Sequence, residues 1–132
     1  MNPVFILFFP LLFYFVVAKS GFFNQKPITP EQMSSAKLLV DGQISSSPNV
    51  VYSKTYCPYC TRAKNELDKL GVKYTLVELN VDSNGSAIQS YLAELTGQRT
   101  VPNIFLGNKH IGGCDDLMSL IKSGKINDYI KV

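Results

Sequence analysis

Hydrophobic residues recur along the chain with two different spacings, and the changes between them predict a series of strands and helices. Short β-branched and aromatic runs predict strands over residues 50–53 and 72–81, and the apolar stretch 103–111, with a Gly107-Asn108 turn inside it, predicts a hairpin. Apolar residues at helical spacing predict helices over residues 30–41, 58–70, 87–96 and 115–122, with a last turn over 126–130. A helix separates the first two strands, so we expect those strands to be parallel. The pattern predicts an α/β domain.

Capping and breaking residues mark where these helices begin and end. Thr29 is a capping residue, followed by Pro30 at the first helical position and Gln32 at the third, so the first helix should begin at Pro30. Glycines at the ends of the later apolar patterns are expected to terminate those helices, namely Gly71, Gly97 and Gly124. The apolar contacts of the first and third helices are expected from Ala36, Leu38, Leu39 and Val40, and from Ile88, Tyr91, Leu92 and Leu95.

The N-terminal segment differs from the rest of the chain, because residues 4–18 are almost wholly apolar. Their length suits the core of a signal peptide better than a full membrane span, which needs about 20 residues. Val16 and Ala18 are small residues at the −3 and −1 positions of a possible cleavage site, yet Met1-Asn2-Pro3 lacks the usual basic residue. A short membrane anchor therefore remains open beside a cleaved signal.

These features divide the chain into three parts. We predict a hydrophobic signal peptide or membrane anchor over residues 1–18, a linker over 19–28 and one folded domain over 29–132. The predicted location is the secretory pathway, in the lumen or the membrane of the endoplasmic reticulum or Golgi, rather than the cytoplasm.

Composition and charge exclude several classes of function. The formal net charge of +3 is small, and the basic residues are scattered along the chain, so we expect no nucleic-acid partner. Three cysteines in 132 residues are too few for a disulfide-dense secreted scaffold. We expect a monomer.

Residues 57–60, Cys-Pro-Tyr-Cys, carry the clearest chemical signal in the chain. A C-x-x-C pair that directly follows a predicted strand in a strand–helix–strand unit is typical of a redox pair. A helix that begins at Cys57 or Pro58 would direct its unpaired N–H groups and the positive end of its dipole at the Cys57 sulfur. This arrangement favours the thiolate, which is the form that attacks disulfides. A zinc site is the alternative, with His110 and Cys114 as further ligands.

Three separate blocks of sequence closely resemble the dithiol glutaredoxins. They are residues 54–60 (Lys-Thr-Tyr-Cys-Pro-Tyr-Cys), 97–103 (Gly-Gln-Arg-Thr-Val-Pro-Asn) and 110–116 (His-Ile-Gly-Gly-Cys-Asp-Asp), in the family's order. The resemblance covers roughly residues 29–132. It implies a thioredoxin-like fold, with a four-stranded mixed sheet flanked by helices. It also implies glutathione as co-substrate, no bound metal, and thiol–disulfide exchange as the reaction.

The resemblance assigns different roles to the two cysteines of the pair. Cys57 would attack the mixed disulfide between a protein and glutathione, and Cys60 would resolve mixed species formed with protein disulfides. Glutathionylated and disulfide-containing proteins are thus the expected partners. An iron–sulfur module that binds a cluster through Cys57 and glutathione stays open as an alternative. Pro58 argues against it, since cluster-binding relatives usually carry Ser or Gly at that position.

The resemblance also implies a set of glutathione-binding residues. Val101, before an expected cis Pro102, would pair with the cysteinyl backbone of glutathione like an added strand. Lys54 and Gln89 would bind the glycyl carboxylate. The helix start at Cys114 and Asp115 would take the γ-glutamyl group. The complete expected set is Lys54, Tyr59, Gln89, Thr100, Val101, Pro102, Gly113, Cys114 and Asp115. Two interpretations of Cys114 stay open, a small semi-buried residue or an accessory thiol.

Overall fold

The structure is a computed structural model that describes residues 26–130. Its helices are α1 (Pro30–Ser46), α2 (Pro58–Lys69), α3 (Gly85–Thr96) and α4 (Cys114–Ser123), and a 3₁₀ turn follows at Lys125–Asp128. Its strands are β1 (Val50–Ser53), β2 (Thr75–Glu78), β3 (Asn103–Leu106) and β4 (Lys109–Gly112). The predicted signal or anchor at residues 1–18 and most of the predicted linker lie outside the described residues. Among residues 26–130, no helix is long and apolar enough to cross a membrane.

The four strands form one mixed sheet in the order β2-β1-β3-β4. β1 and β2 are parallel, as expected for strands joined by a helix, whereas β3 is antiparallel to both β1 and β4. This arrangement confirms the predicted thioredoxin-like architecture. Because β1 and β2 are parallel, their carboxyl ends meet at one edge of the sheet, and the loop that leads to Cys57 starts there.

Successive side chains of β1 point to opposite faces of the sheet and so divide the core into two layers. Tyr52 packs on the side covered by α1 and α3, while Val51 packs on the side covered by α2 and α4. The first layer also contains Ala36, Val40, Val77, Leu79, Ile88, Leu92 and Phe105. The second contains Ala63, Leu67, Ile104, Leu106, Cys114, Leu117 and Ile126. Ile28, at the end of the predicted linker, packs against the first layer.

Helix α1 is longer than predicted, because it continues past Asp41 to Ser46. The hydroxyls of Ser45 and Ser46 donate hydrogen bonds to backbone carbonyls four residues earlier, at 2.7 Å each, which lets serines remain inside a helix. The chain leaves the helix at Ser47, which is extended at φ −133° and ψ 130°. The following Pro48 disfavours helical backbone at that position. The helix begins as predicted, with a capping box between Thr29 and Gln32.

Some of the apolar residues predicted to pack the helices against the core are exposed instead, so that part of the prediction is wrong. Ala36 and Val40 are buried, but Leu38 is 75% exposed and Leu39 is 39% exposed. Residues four apart share one face of a helix, whereas Leu38 and Leu39 lie on the turn between them and face away from the sheet. Leu95 of α3 is likewise 47% exposed.

Strand β2 and helix α3 also differ from their predicted bounds. β2 is shorter than residues 72–81, because it lies at the edge of the sheet and pairs only with the four residues of β1. α3 begins at Gly85, two residues earlier than predicted. A Cβ at Gly85 would overlap the Leu79 carbonyl, so this close approach requires glycine. The hairpin turn is as predicted, with positive φ at both Gly107 (57°) and Asn108 (64°).

Candidate active site

Cys57 occupies the N-cap of α2, directly before Pro58 at the first helical position. The Cys57 N–H donates to the Lys54 carbonyl at 3.1 Å, which closes the turn between β1 and the helix. The backbone N–H of Cys60 donates to the Cys57 sulfur at 3.2 Å. A helix-terminal N–H directed at sulfur stabilises negative charge on it, so the geometry suits a nucleophilic thiolate. Cys57 is partly exposed and can therefore be reached by a substrate.

Cys60 has the opposite environment, because its side chain, in the first turn of α2, is fully buried. The pKa of the Cys60 thiol is raised to about 11, chiefly by burial and in part by the neighbouring Cys57 side chain. Hydrogen bonds from the Lys54 backbone and the Ser53 side chain act in the opposite direction. The two thiols are therefore unequal: one is accessible and faces a helix N-terminus, and the other is enclosed and protonated at neutral pH.

A cleft of about 490 Å³ adjoins the pair. The peptide bond between Val101 and Pro102 is cis, as expected. The Cys57 thiol lies 3.8 Å from the carbonyl oxygen of Val101, which lines this cleft, so the redox pair lies at the edge of the cleft. The cleft brings together seven of the residues predicted for glutathione binding, namely Tyr59, Thr100, Val101, Pro102, Gly113, Cys114 and Asp115.

Two further residues, Gln98 and Asp116, line the cleft and were missed. The Gln98 side-chain amide donates to the carbonyls of Thr100 at 3.0 Å and Pro102 at 2.9 Å, and so braces the loop around the cis bond. Asp116 accepts a hydrogen bond from the Gly113 N–H at 3.0 Å and caps the start of α4. Both residues belong to blocks that carry the family resemblance. A residue-by-residue interpretation of those blocks could have found them.

Lys54 and Gln89 are the two predicted glutathione ligands that do not line this cleft. Gln89 uses its side-chain amide to donate to the Arg99 carbonyl at 2.8 Å, next to the Thr100–Pro102 loop. Lys54 lies in the turn that precedes Cys57. Both residues flank the site.

Cys114 is the first residue of α4 and is buried against Leu117 in the second core layer. Burial raises the pKa of the Cys114 thiol, whereas the charge of Arg62 lowers it. The side chain nevertheless borders the cleft. Both interpretations of Cys114, a small semi-buried residue or an accessory thiol, therefore stay predictions.

His110 does not join the cysteines. Its Nε2 atom lies 2.8 Å from Asn103 Oδ1, and its ring packs against Phe105 with centroids 5.2 Å apart. Desolvation lowers the pKa of His110. Within residues 26–130, no group of three or more His, Cys, Asp or Glu side chains is arranged to hold a metal ion.

Comparison with known proteins gives one consistent family. The glutaredoxin family profile matches residues 49–111. A glutaredoxin from Ricinus communis is 59% identical over 83 residues, which cover 63% of this chain and 81% of the relative. The chloroplastic glutaredoxin-C4 of Oryza sativa subsp. japonica is 47% identical over 116 residues, covering 83% of this chain and 87% of that protein.

Solved structures agree with the sequence relatives. The crystal structure of a buckwheat glutaredoxin–glutathione complex superposes with a TM-score of 0.74 at 48% identity, covering 76% of this chain and 92% of that one. The C-x-x-C pair at a helix N-terminus, beside a cis-proline loop and a cleft, agrees with this likeness. The chain therefore belongs to the glutaredoxin family of glutathione-dependent thiol–disulfide oxidoreductases.

Proposed function

We propose that Cys57 removes glutathione from proteins by thiol–disulfide exchange. The Cys57 thiolate attacks the glutathione sulfur of a protein–glutathione mixed disulfide, a Cys57–glutathione disulfide forms, and the protein leaves as a thiolate that takes up a proton. The observation that carries the proposal is the Cys60 N–H directed at the Cys57 sulfur at 3.2 Å, at the edge of the cleft.

Two routes then regenerate the enzyme. In the first, a glutathione thiolate attacks the Cys57–glutathione disulfide, which releases oxidised glutathione and restores the Cys57 thiolate. In the second, which serves protein disulfides, Cys60 attacks the Cys57 sulfur of a mixed disulfide with the substrate. The burial of Cys60 and its raised pKa favour the first route for glutathione mixed disulfides.

Glutathione would lie in the cleft beside Val101. The backbone of Val101 pairs with the cysteinyl residue of glutathione, while the unpaired N–H groups at the start of α4 receive the γ-glutamyl carboxylate. Asp115 at this helix start faces the ammonium group of the same residue. Lys54 and Gln89 bind the glycyl carboxylate from the flanks of the site. The glutathione complex of the similar buckwheat protein supports this class of ligand.

The proposed activity is tested with a glutathionylated peptide, glutathione and a coupled glutathione reductase. The full-length protein should release the peptide thiol with a rate that depends on both the peptide and glutathione. Release of the peptide no faster than with glutathione alone would contradict the proposal.

The N-terminal segment would set the location of this chemistry. We infer that residues 1–18 act as a signal peptide or membrane anchor, that residues 19–28 link them to the domain, and that the domain works as a monomer in the secretory pathway. The apolar composition of residues 4–18, ahead of a domain with its own two-layer core, supports this inference. The glutathione pool of that compartment is more oxidising than the cytosolic pool, so the same exchange could also form mixed disulfides.

A further inference from the structure

The pairing between β3 and β4 is irregular next to the candidate active site. Phe105 pairs with His110 and Ile104 pairs with Gly112, so the register shifts by one residue between these two pairs. Such a bulge disrupts the ladder of backbone hydrogen bonds locally. The two strands carry the two walls of the cleft, because the cis-proline loop leads into β3 and the start of α4 follows β4. The ladder is therefore interrupted close to both walls.

A side-chain hydrogen bond spans this bulge. His110 Nε2 lies 2.8 Å from Oδ1 of Asn103, which is the first residue of β3 and directly follows Pro102. Asn103 is only 1% exposed, whereas His110 lies on the surface. The bond thus links a surface residue of β4 to the buried residue at which the cis-proline loop enters the sheet.

The partners of Asn103 determine which atoms donate. The Thr96 hydroxyl donates its one proton to the Leu92 carbonyl at 2.7 Å, so it accepts from the Asn103 amide nitrogen at 3.4 Å. Oδ1 of Asn103 therefore faces His110, and the Nε2 atom of His110 carries the hydrogen that is donated. Removing this donor would deprive a buried oxygen of its partner, which costs free energy.

The same threonine hydroxyl connects Asn103 to the cis-proline loop. The backbone N–H of Gln98 donates to the Thr96 hydroxyl at 3.1 Å, and the Gln98 side chain donates to the Pro102 carbonyl at 2.9 Å. The opposite wall is close, since a Cβ at Gly113 would lie 3.7 Å from that carbonyl oxygen. A shift of Asn103 would therefore change the gap between the two walls.

We propose that His110 is a positioning residue for the glutathione cleft, whose Nε2–H holds Asn103 across the bulge and so fixes the cis-proline loop opposite the start of α4. The inference rests on the proposed function and concerns the shape of its binding site rather than the thiol chemistry. His110 itself does not line the cleft, so it acts through Asn103.

The test separates the hydrogen-bond donor from the ring. His110→Phe keeps an aromatic ring beside Phe105, whose centroid is 5.2 Å from that of His110, but removes the donor. His110→Gln restores an N–H donor on a side chain of similar reach. Tyr52→Phe is the matched control, because Tyr52 also packs against Phe105 and its hydroxyl donates to Gln43 at 2.8 Å, away from the cleft. Thermal unfolding is measured on every variant.

The KM for a glutathionylated peptide is the first measurement, because the glutathionyl group of that substrate enters the cleft. His110→Phe should raise this KM by about threefold to tenfold, the size of one ordinary hydrogen bond, and leave the rate of Cys57 alkylation unchanged. His110→Gln should restore most of the loss, and Tyr52→Phe should leave the KM unchanged. A lower unfolding temperature without a higher KM in His110→Phe would show a merely structural role and overturn the inference. A KM raised equally by His110→Gln or by Tyr52→Phe would also overturn it.

A binding measurement without turnover separates this inference from the proposed function. In a Cys57→Ser background, which cannot form the mixed disulfide, glutathione binding is followed by NMR titration. His110→Phe should raise the Kd for glutathione by a similar factor, and His110→Gln should stay near the parent protein. Equal Kd values in all three proteins would overturn the inference and leave the proposed function intact. A wild-type protein that fails to release the peptide would contradict the proposed function instead, and the Kd values would still decide the role of His110.

Discussion

The backbone N–H of Cys60 donates to the Cys57 sulfur at 3.2 Å, so the resolving residue also helps to stabilise the nucleophile. Its own sulfur is enclosed by the core. One residue therefore contributes to both halves of the reaction through different atoms. The backbone contribution survives replacement of the side chain.

The first prediction follows from this separation. Cys57→Ser should abolish reduction of a glutathione mixed disulfide, because it removes the attacking sulfur. Cys60→Ser should retain substantial activity, because it keeps the N–H that faces Cys57 and external glutathione can resolve the intermediate. The coupled assay with a glutathionylated peptide measures both variants. Losses of similar size would contradict the route through external glutathione.

The second prediction concerns stability at alkaline pH. Burial raises the pKa of Cys60 from its ordinary value of 9.0 to about 11, so the folded state favours the protonated thiol. This contribution to the free energy of unfolding is complete below pH 9 and is lost as the pH rises through about 11. Urea unfolding across that window should show a shallower decline in Cys60→Ala than in the wild type. The pKa of Tyr74 is also raised by burial, to about 12, so the free energy of unfolding should still decline in part in both proteins. Parallel declines would contradict the effect of burial on Cys60.

The third prediction tests the proposed glutathione contacts. Asp115→Ala and Lys54→Ala should each raise the KM for glutathione, because each removes a charge-assisted hydrogen bond to it. The expected increase corresponds to a loss of about 1–2 kcal/mol of binding free energy at most. Asp115 is exposed at the start of α4, so solvent screening places its effect at the lower end. Asp128→Ala, in the 3₁₀ turn, serves as the control. The KM for glutathione is the measurement, and unchanged values in both variants would show that the assigned contacts are wrong.

The fourth prediction concerns Gln98, which donates to two carbonyls of the cis-proline loop. Gln98→Met keeps the length of the side chain but removes both donors, so it should loosen the loop that holds Val101 beside Cys57. We expect a higher KM for glutathione. Thermal unfolding measured on the same samples separates a loosened loop from an unfolded domain. An unchanged KM in a folded variant would contradict the bracing role.

The fifth prediction concerns residues 1–18. Deleting them should leave a soluble and fully active oxidoreductase, because every proposed site residue lies beyond position 50. In cells, a full-length protein that resists carbonate extraction would identify an anchor. A mature chain that begins at Lys19 in the lumen would identify a cleaved signal. A full-length protein found soluble in the cytosol would contradict both.

Much of the fold was predictable because its signals are local. Thr29, Pro30 and Gln32 are close enough in sequence to define the start of α1 by themselves. Gly107 and Asn108 both adopt the positive φ that their hairpin turn requires. The redox pair follows the same logic, since the spacing of Cys57 and Cys60 is one helical turn. Its position at the start of α2 follows from Pro58.

The remaining features depend on contacts between distant parts of the chain. The length of β2 is set by pairing with β1, and the exposure of Leu38 is set by which face of α1 meets the sheet. The Cys57 thiol and the Val101 carbonyl are 44 residues apart, so only the tertiary structure brings them to 3.8 Å. The sequence alone thus determined the order of the elements and the chemistry of the C-x-x-C pair. Only the packing of the elements around the start of α2 decided that Cys60 is fully buried, because desolvation depends on every element that closes over a side chain.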